Sequence, residues 1–274
     1  MISVITINYN NKEGLEKTIE SVISQSKPPM EFIVVDGDST DGSKDVIEQY
    51  QDKLSTAISE PDTGIYNAMN KGILAAKGDY LLFLNSGDSF YSASVLKDVA
   101  AKIDGAKDFY YGDLWLESLD IPKVLTYPEQ LNFSFVYINS LPHPATFIRR
   151  SLFKDQLYNE ELKLVSDWQF FMKALFYEHA TYQHLKLIVS NFDTTGFSNN
   201  PEYKGKMEHE RHWVMENDFP LLYKDIKSQM IQEDLLRSPG VKGLVESNLS
   251  KTGRKVHLKI LKMLSLLFKN KTKP

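Results

Sequence analysis

The chain has 274 residues, 42% of them hydrophobic and 25% charged, proportions that fit a folded globular protein and exclude a disordered or fibrous one. It has no cysteine, which excludes disulfide staples, thiolate metal sites and cysteine nucleophiles, so any metal must be held by oxygen or imidazole. The net charge of −4 hides an asymmetry. Residues 251–274 carry eight Lys or Arg and no acid, leaving 24 basic against 36 acidic residues in the rest, a balance that argues against nucleic acid as a partner.

The opening Met1-Ile2-Ser3-Val4-Ile5-Thr6 has none of the basic start, apolar run and cleavage site of a secretory signal. With no apolar run long enough to span a bilayer either, a cytoplasmic location is expected. Short apolar runs then alternate with amphipathic stretches, the pattern of βαβ units around a mainly parallel sheet. Val4–Ile7 is a predicted strand, 12–25 a helix with Leu15, Ile19, Val22 and Ile23 on one face, and Phe32–Val35 a second strand. A helix over 43–51, a strand over Leu54–Ile58, a helix over 64–76 and a fully buried strand over Tyr80–Leu84 follow. Beyond residue 108 the predicted strands are Phe109–Tyr111, Val124–Thr126 and Ala145–Arg149. A helix runs over Trp168–Tyr177, headed by Ser166-Asp167, and 203–236 is helical. These elements imply a main α/β domain over 1–205, a helical extension over 206–237, a polar linker over 238–253 and a basic amphipathic helix over 254–274.

Ligands of such open sheets bind at the carboxyl ends of the strands, and polar clusters stand there. The first strand runs into Asn8-Tyr9-Asn10-Asn11, the second into Asp36-Gly37-Asp38-Ser39-Thr40-Asp41-Gly42, the third into Glu60-Pro61-Asp62 and the buried strand into Asn85-Ser86-Gly87-Asp88. A carboxylate at such an end, Asp88 above all, suits Mg²⁺ or Mn²⁺ bound jointly with substrate phosphates. It equally suits a cap for a helix beginning near Ser92. Asp36 and Asp38 offer acceptors for a ribose hydroxyl or a base N–H, while Asp41 or Ser43 is placed to cap the next helix. No two glycines are separated by one residue, and no Gly-Lys pair has P-loop spacing, so dinucleotide-fingerprint and P-loop devices are disfavoured. Asp167, beside Trp168, is a candidate general base for an attacking hydroxyl, with N-capping as the alternative. His143, between Pro142 and Pro144, stands in a rigid loop as a candidate phosphate or acceptor contact or a structural histidine.

With these residues in place, the chain resembles the family 2 glycosyltransferases of the A-type fold, particularly bacterial enzymes building capsule, exopolysaccharide or lipopolysaccharide O-chains. The resemblance covers residues 1 to about 200 and rests on Val4–Asn10, Asp36–Ser43, the segment Glu60–Gly72, Ser86-Gly87-Asp88 in the D-x-D slot, His143–Arg150, Asp167-Trp168 and Gly196-Phe197-Ser198. It implies an A-type glycosyltransferase fold with a Rossmann-like central sheet. The implied reaction is an inverting displacement in which a hydroxyl of a glycan or lipid-linked acceptor, deprotonated by Asp167, attacks a nucleotide-diphosphate sugar, UDP-sugar favoured, transferring a hexose or N-acetylhexosamine. By position it makes Thr6, Asn8, Asp36, Asp62, Asn70 and Ser86 the nucleotide site, Asp88 the holder of Mg²⁺ or Mn²⁺, and His143 and Trp168 acceptor or phosphate contacts. Two departures stand out. Ser86 replaces the first acid of D-x-D, and no histidine near Gly196 joins the metal. Ser86 therefore also motivates a second reading, a catalytically weak sugar-nucleotide-binding subunit that organises a polysaccharide-assembly complex.

In the tail, Lys255, Lys259, Lys262, Ser265 and Lys269 form one polar stripe on an otherwise apolar helix. Such a helix suits an anionic membrane interface, or docking on protein.

Overall fold

β1 (Ile2–Asn8), β2 (Glu31–Asp36) and β4 (Tyr80–Phe83) are almost wholly buried along their length, as their continuous apolar runs require of strands covered on both faces. In the computed structural model, which describes residues 1–117, 121–194 and 201–226, β1 pairs in parallel with β2 on one side and β4 on the other, and β2 pairs in parallel with β3 (Thr56–Ser59). The register sets Asn8 opposite Asp36 and Asp36 opposite Ser59. The polar turns that follow the strands are thus brought to one sheet edge by backbone pairing alone. Three helices connect these strands: α1 (Lys12–Ile23), burying Leu15, Thr18, Ile19 and Val22, α2 (Ser43–Gln49) and α3 (Ile65–Ala75), burying Tyr66, Ala68, Met69, Asn70, Gly72 and Ile73.

The second half of the sheet is mixed rather than parallel. After the short β5 (Ser89–Phe90) and α4 (Val95–Ala100), β6 (Phe109–Leu116) lies antiparallel to β8 (Thr146–Arg149), which is antiparallel to β4. β7 (Lys123–Leu125) pairs with β6 at its far end. Besides the two-residue β5, two elements went unanticipated by the sequence pattern. One is α5 (Phe133–Asn139), capped by the Asn132 side chain. The other is β9 (Tyr182–Asn191), parallel to β6 and antiparallel to β5. β9 is interrupted by register shifts against β6 and by Lys186 in a left-handed conformation, φ 55°, which destroys the period-two alternation that reveals a strand. The order across the sheet is β3-β2-β1-β4-β8-β6-β9-β5.

α6 (Ser166–Phe176) packs Phe170 and Phe171 against Phe109. α7 (Lys204–Asp218) follows. The chain divides into two units, Met1–Arg211 and His212–Pro274, with the sheet in the first. The Gly196-Phe197-Ser198 turn, the linker over 238–253 and the tail helix over 254–274 lie outside the described residues. Among the described residues no helix is long and apolar enough to cross a membrane.

Candidate active site

At the ends of β1 and β2 the polar side chains satisfy one another. Asp36 is 0% exposed, and its carboxylate accepts from Asn8 Nδ2 at 2.8 Å, Ser39 N at 3.0 Å, Ser39 Oγ at 2.5 Å and Ser59 Oγ at 2.8 Å. Burial pushes this carboxyl up, but the donors from Ser39, Asn8 and Ser59 outweigh it and hold it below its ordinary value. Asn8 in turn accepts from Ser86 Oγ at 2.7 Å through Oδ1, and the Thr6 hydroxyl donates to the Leu84 carbonyl at 2.7 Å. Asp41 accepts from the amides of Lys12 and Ser43, serving the starts of both α1 and α2. The expected nucleotide contacts therefore separate into two groups. Thr6, Asn8 and Asp36 form a buried frame whose side chains bond to one another and to neighbouring groups of the protein. Asp62 and Ser86 are partly open. Beside them Tyr9, unassigned by sequence reasoning, is 67% exposed. Gly37 underlies both Tyr9 and Asp62: a Cβ there would stand 3.1 Å from Tyr9 Cδ2 and collide with Asp62 Oδ2.

The turn after β4 is pinned by α1. Thr18 Oγ1 accepts from Gly87 N at 3.1 Å and donates to the Asp88 carbonyl at 2.6 Å. Gly87 has φ 103°, a left-handed conformation, and a Cβ there would lie 2.8 Å from Asp193 Oδ2, so both backbone and space call for glycine. Asp88 is 6% exposed and accepts from Asp193 N at 2.9 Å. It does not cap α4, which begins after Ser94. Burial, with the nearby charge of Asp193 adding to it, pushes the Asp88 carboxyl up to about 7. A desolvated Asp88 with the partly exposed Asp193 beside it fits a hard divalent cation, which needs one or two protein carboxylates when phosphate oxygens complete its shell. Among the described residues no group of three or more metal-ligating side chains comes together.

Asp167 stands in the first turn of α6, where Val165 is the cap and offers no side-chain bond, so capping is not its role. Its Oδ1 accepts from the Tyr66 hydroxyl of α3 at 2.7 Å. Burial and the Asp167 charge raise the Tyr66 hydroxyl well above its ordinary value, so it stays a donor. The Tyr66 ring packs on Tyr158, centroids 5.7 Å apart, and the Tyr158 hydroxyl meets His143 Nε2 at 2.9 Å. His143 is packed against Phe83 at 4.7 Å, and burial lowers its basicity, leaving it neutral. Trp168 is 1% exposed, with Nε1 donating to the Val136 carbonyl at 2.9 Å. Trp168 is turned into the core, whereas His143 is half-buried; both form part of the wall in which Asp167 is set. Asn70 is likewise internal. It donates to the Tyr158 carbonyl at 2.9 Å and to Glu160 Oε1 at 2.8 Å, and accepts from Tyr158 N at 3.0 Å.

The family model for glycosyl transferase family 2 matches residues 3–155. The chain belongs to this family. It is 28% identical over 214 residues to a PGL/p-HBAD biosynthesis glycosyltransferase of Mycobacterium bovis (strain BCG / Pasteur 1173P2), covering 73% of this chain and 79% of that one. It is 31% identical over 147 residues to the putative teichuronic acid biosynthesis glycosyltransferase TuaG of Bacillus subtilis (strain 168), covering 52% and 58%. Among solved structures, S. aureus TarS 1-349 in complex with UDP-GlcNAc superposes with a TM-score of 0.58 at 29% identity, over 70% of this chain and 58% of that chain. The chain thus spans little more than half of that TarS chain. The protein is a glycosyltransferase with the A-type fold. The matched stretch contains the Asn8–Asp36–Ser86 frame, Asp88 and His143, but it ends before Asp167, Asp193 and α7. Of the residues missed, Tyr66 and Tyr9 lay inside recognisable segments. Glu160 and Asp193 carried no local signal, since their partners are distant in sequence.

Proposed function

We propose that this glycosyltransferase moves a hexose or N-acetylhexosamine, with inversion, from a nucleoside diphosphate sugar, UDP favoured, to a hydroxyl of a glycan or lipid-linked acceptor in building a cell-surface polysaccharide. The observation that carries this is the partly open Asp167 carboxylate, oriented by Tyr66 at 2.7 Å on the wall formed by α6 and the Phe83–His143–Tyr158 cluster. As the acceptor oxygen bonds to the anomeric carbon, its proton passes to the free Asp167 oxygen. The bond from that carbon to the diphosphate breaks, and the nucleoside diphosphate leaves with the electron pair. Tyr9, Asp62 and Ser86 line the nucleoside side, with Thr6, Asn8, Asp36 and Asn70 holding the backbone behind them. Asp88, with Asp193 beside it, would hold Mg²⁺ or Mn²⁺, which would supply neutralisation of the charge on the leaving diphosphate. The relatives named for PGL/p-HBAD and teichuronic acid biosynthesis and the UDP-GlcNAc complex of TarS support donor and setting.

A panel of UDP, GDP, dTDP and CMP sugars, with and without Mn²⁺, tests the proposal by nucleotide binding and by release of nucleoside diphosphate in the presence of acceptor. Turnover with a UDP-sugar that Asp167→Asn abolishes is the expected result. The internal bonding of Ser86, which removes one acid from the metal slot, favours the second reading of a nucleotide-sugar-binding, complex-organising subunit. That reading predicts binding without turnover. The lysine stripe of the tail supports peripheral contact with the inner face of the membrane, and liposome flotation unaffected by deletion of 254–274 rejects it.

A further inference from the structure

α7 buries little, yet two consecutive side chains of its first-unit portion turn inward. Glu210 accepts from the amide of Lys163 through Oε1 and from that of Leu164 through Oε2, both at 2.9 Å. Both of its oxygens thus hold the turn immediately before α6. Arg211 lays its guanidinium 5.0 Å from the centroid of the Trp168 ring. Its Nη1 donates to the carbonyls of Tyr137 and Ile138 at 3.2 and 3.0 Å, near the end of α5. Its Nε is buried with no hydrogen-bond partner among the described residues. Glu210 grips residues 163 and 164 and Arg211 covers residue 168; Asp167 lies between the two grips.

A half-buried guanidinium that lends Nη1 to two neutral carbonyls while its buried Nε has no partner among the described residues is costly. Stability alone does not explain it. The groups around Asp167 are Tyr66 from α3, Tyr158 and His143 from the loops before α6, and Arg211 from α7. The two tyrosines are kept protonated by burial and His143 is kept neutral by it. At the neighbouring turn Lys163 donates to the carbonyls of Glu160 and Thr63, and Glu160 is held by Asn67 and Asn70. Arg211 is the permanent charge in this set, because a guanidinium stays protonated. The Asp167 charge opposes the lowering that burial imposes on Arg211, so the two are in electrostatic reach.

We propose that Glu210 and Arg211 are positioning residues of the transfer reaction, Glu210 fixing the turn that presents Asp167 and Arg211, laid over the adjacent Trp168 ring, setting a positive charge beside that carboxylate. This rests on Asp167 being the base. The test is the pH dependence of kcat in the full chain for wild type, Arg211→Met, Arg211→Lys and Glu210→Gln, with Asp167→Asn as reference and a melting curve for each. Arg211→Met removes the charge, so the acid limb of kcat moves to higher pH by about one unit, the size of a nearby opposite charge. Arg211→Lys keeps the charge and returns the limb to its wild-type position. Glu210→Gln lowers kcat by about tenfold through misplacement of the base, without moving the limb or the donor KM. If Arg211→Met does not fold, Arg211→Gln substitutes, retaining a donor for the α5 carbonyls without the charge. A folded, charge-free variant whose limb stays in place overturns the Arg211 assignment while leaving the base reading intact. Full activity in Asp167→Asn overturns both.

Discussion

Asp36→Asn is the most informative single change, because it alters one buried oxygen and nothing in volume. The carboxylate now accepts from Asn8 Nδ2 and Ser39 Oγ through Oδ1 and from Ser39 N and Ser59 Oγ through Oδ2. An amide offers one carbonyl, which the Oδ1 partners take, and turns its NH₂ toward the other two. The Ser59 hydroxyl can rotate to accept; the Ser39 N–H cannot. The variant therefore buries one unpaired N–H, costing about 1–3 kcal/mol, and loses the charge assistance of the remaining bonds, for a total of about 3 kcal/mol. In a domain of this size that lowers the melting temperature by about 6–12 °C. The pH dependence has a definite sign. The folded carboxyl lies below its ordinary value, so its contribution is complete above the unfolded pKa of about 4 and is lost as pH falls through the folded value. Melting curves at pH 7 and at stepwise lower pH should show a gap between wild type and variant that closes below about pH 4. UDP affinity should fall with stability at pH 7, by about tenfold for each 1.4 kcal/mol that the loosened Asn8–Ser86 pair transmits. A variant that melts within 1 °C of wild type at pH 7, by an estimate of about 3 kcal/mol lost, refutes the internal-frame account and returns Asp36 to direct ligand contact.

Asp167→Asn should lower kcat by about 10²–10⁴-fold, the usual worth of a general base, with UDP affinity by calorimetry unchanged; an equal loss of affinity would make Asp167 a donor-binding residue. Ser86→Asp, which restores the D-x-D pattern, should fail to improve the enzyme. Asn8 Oδ1 accepts from the Ser86 hydroxyl while Asn8 Nδ2 is committed to Asp36, so a carboxylate would face a carbonyl, at a cost of about 1–3 kcal/mol seen in thermal melts. Higher stability in that variant counts against the network. Mn²⁺ titration followed by paramagnetic resonance should show affinity lost in Asp88→Ala and reduced about tenfold or more in Asp193→Ala, the range for losing a supporting group. Affinity unchanged in Asp88→Ala removes the metal assignment.

The parallel half of the sheet was legible because its determinants are local. Phe32–Val35 and Tyr80–Leu84 are unbroken apolar runs and Val4–Ile7 is broken only by Thr6, and of the expected face of α1 Leu15, Ile19 and Val22 lie inside while Ile23, at its end, is exposed. The mixed half was less legible because its period is broken by structure, not by noise. β9 alternates poorly where it shifts register against β6, and Lys186 turns left-handed there. α5 is short, and of its residues only Val136 is buried, so no apolar stripe announces it.

For the site, sequence position identified which turns matter but not which side chains face outward. Asn8 and Asp36 end buried strands, Asp88 stands in the turn after another, and all are polar, so by composition they are equivalent. Only the pairing of Asn8 with Asp36 and Asp36 with Ser59 shows that Asp36 is saturated from within, whereas Asp88 has Asp193 drawn against it from 105 residues away. The same holds for Asp167. Its neighbour in sequence, Trp168, looked like a partner because the two are adjacent, yet a helix sends consecutive side chains in different directions, and the indole points into the core toward Val136. The group that orients Asp167 is Tyr66, 101 residues upstream. A base needs an orienting donor on a rigid element, and α3 and α6, far apart in sequence, are brought together by the fold, so that partner follows from topology and not from local sequence.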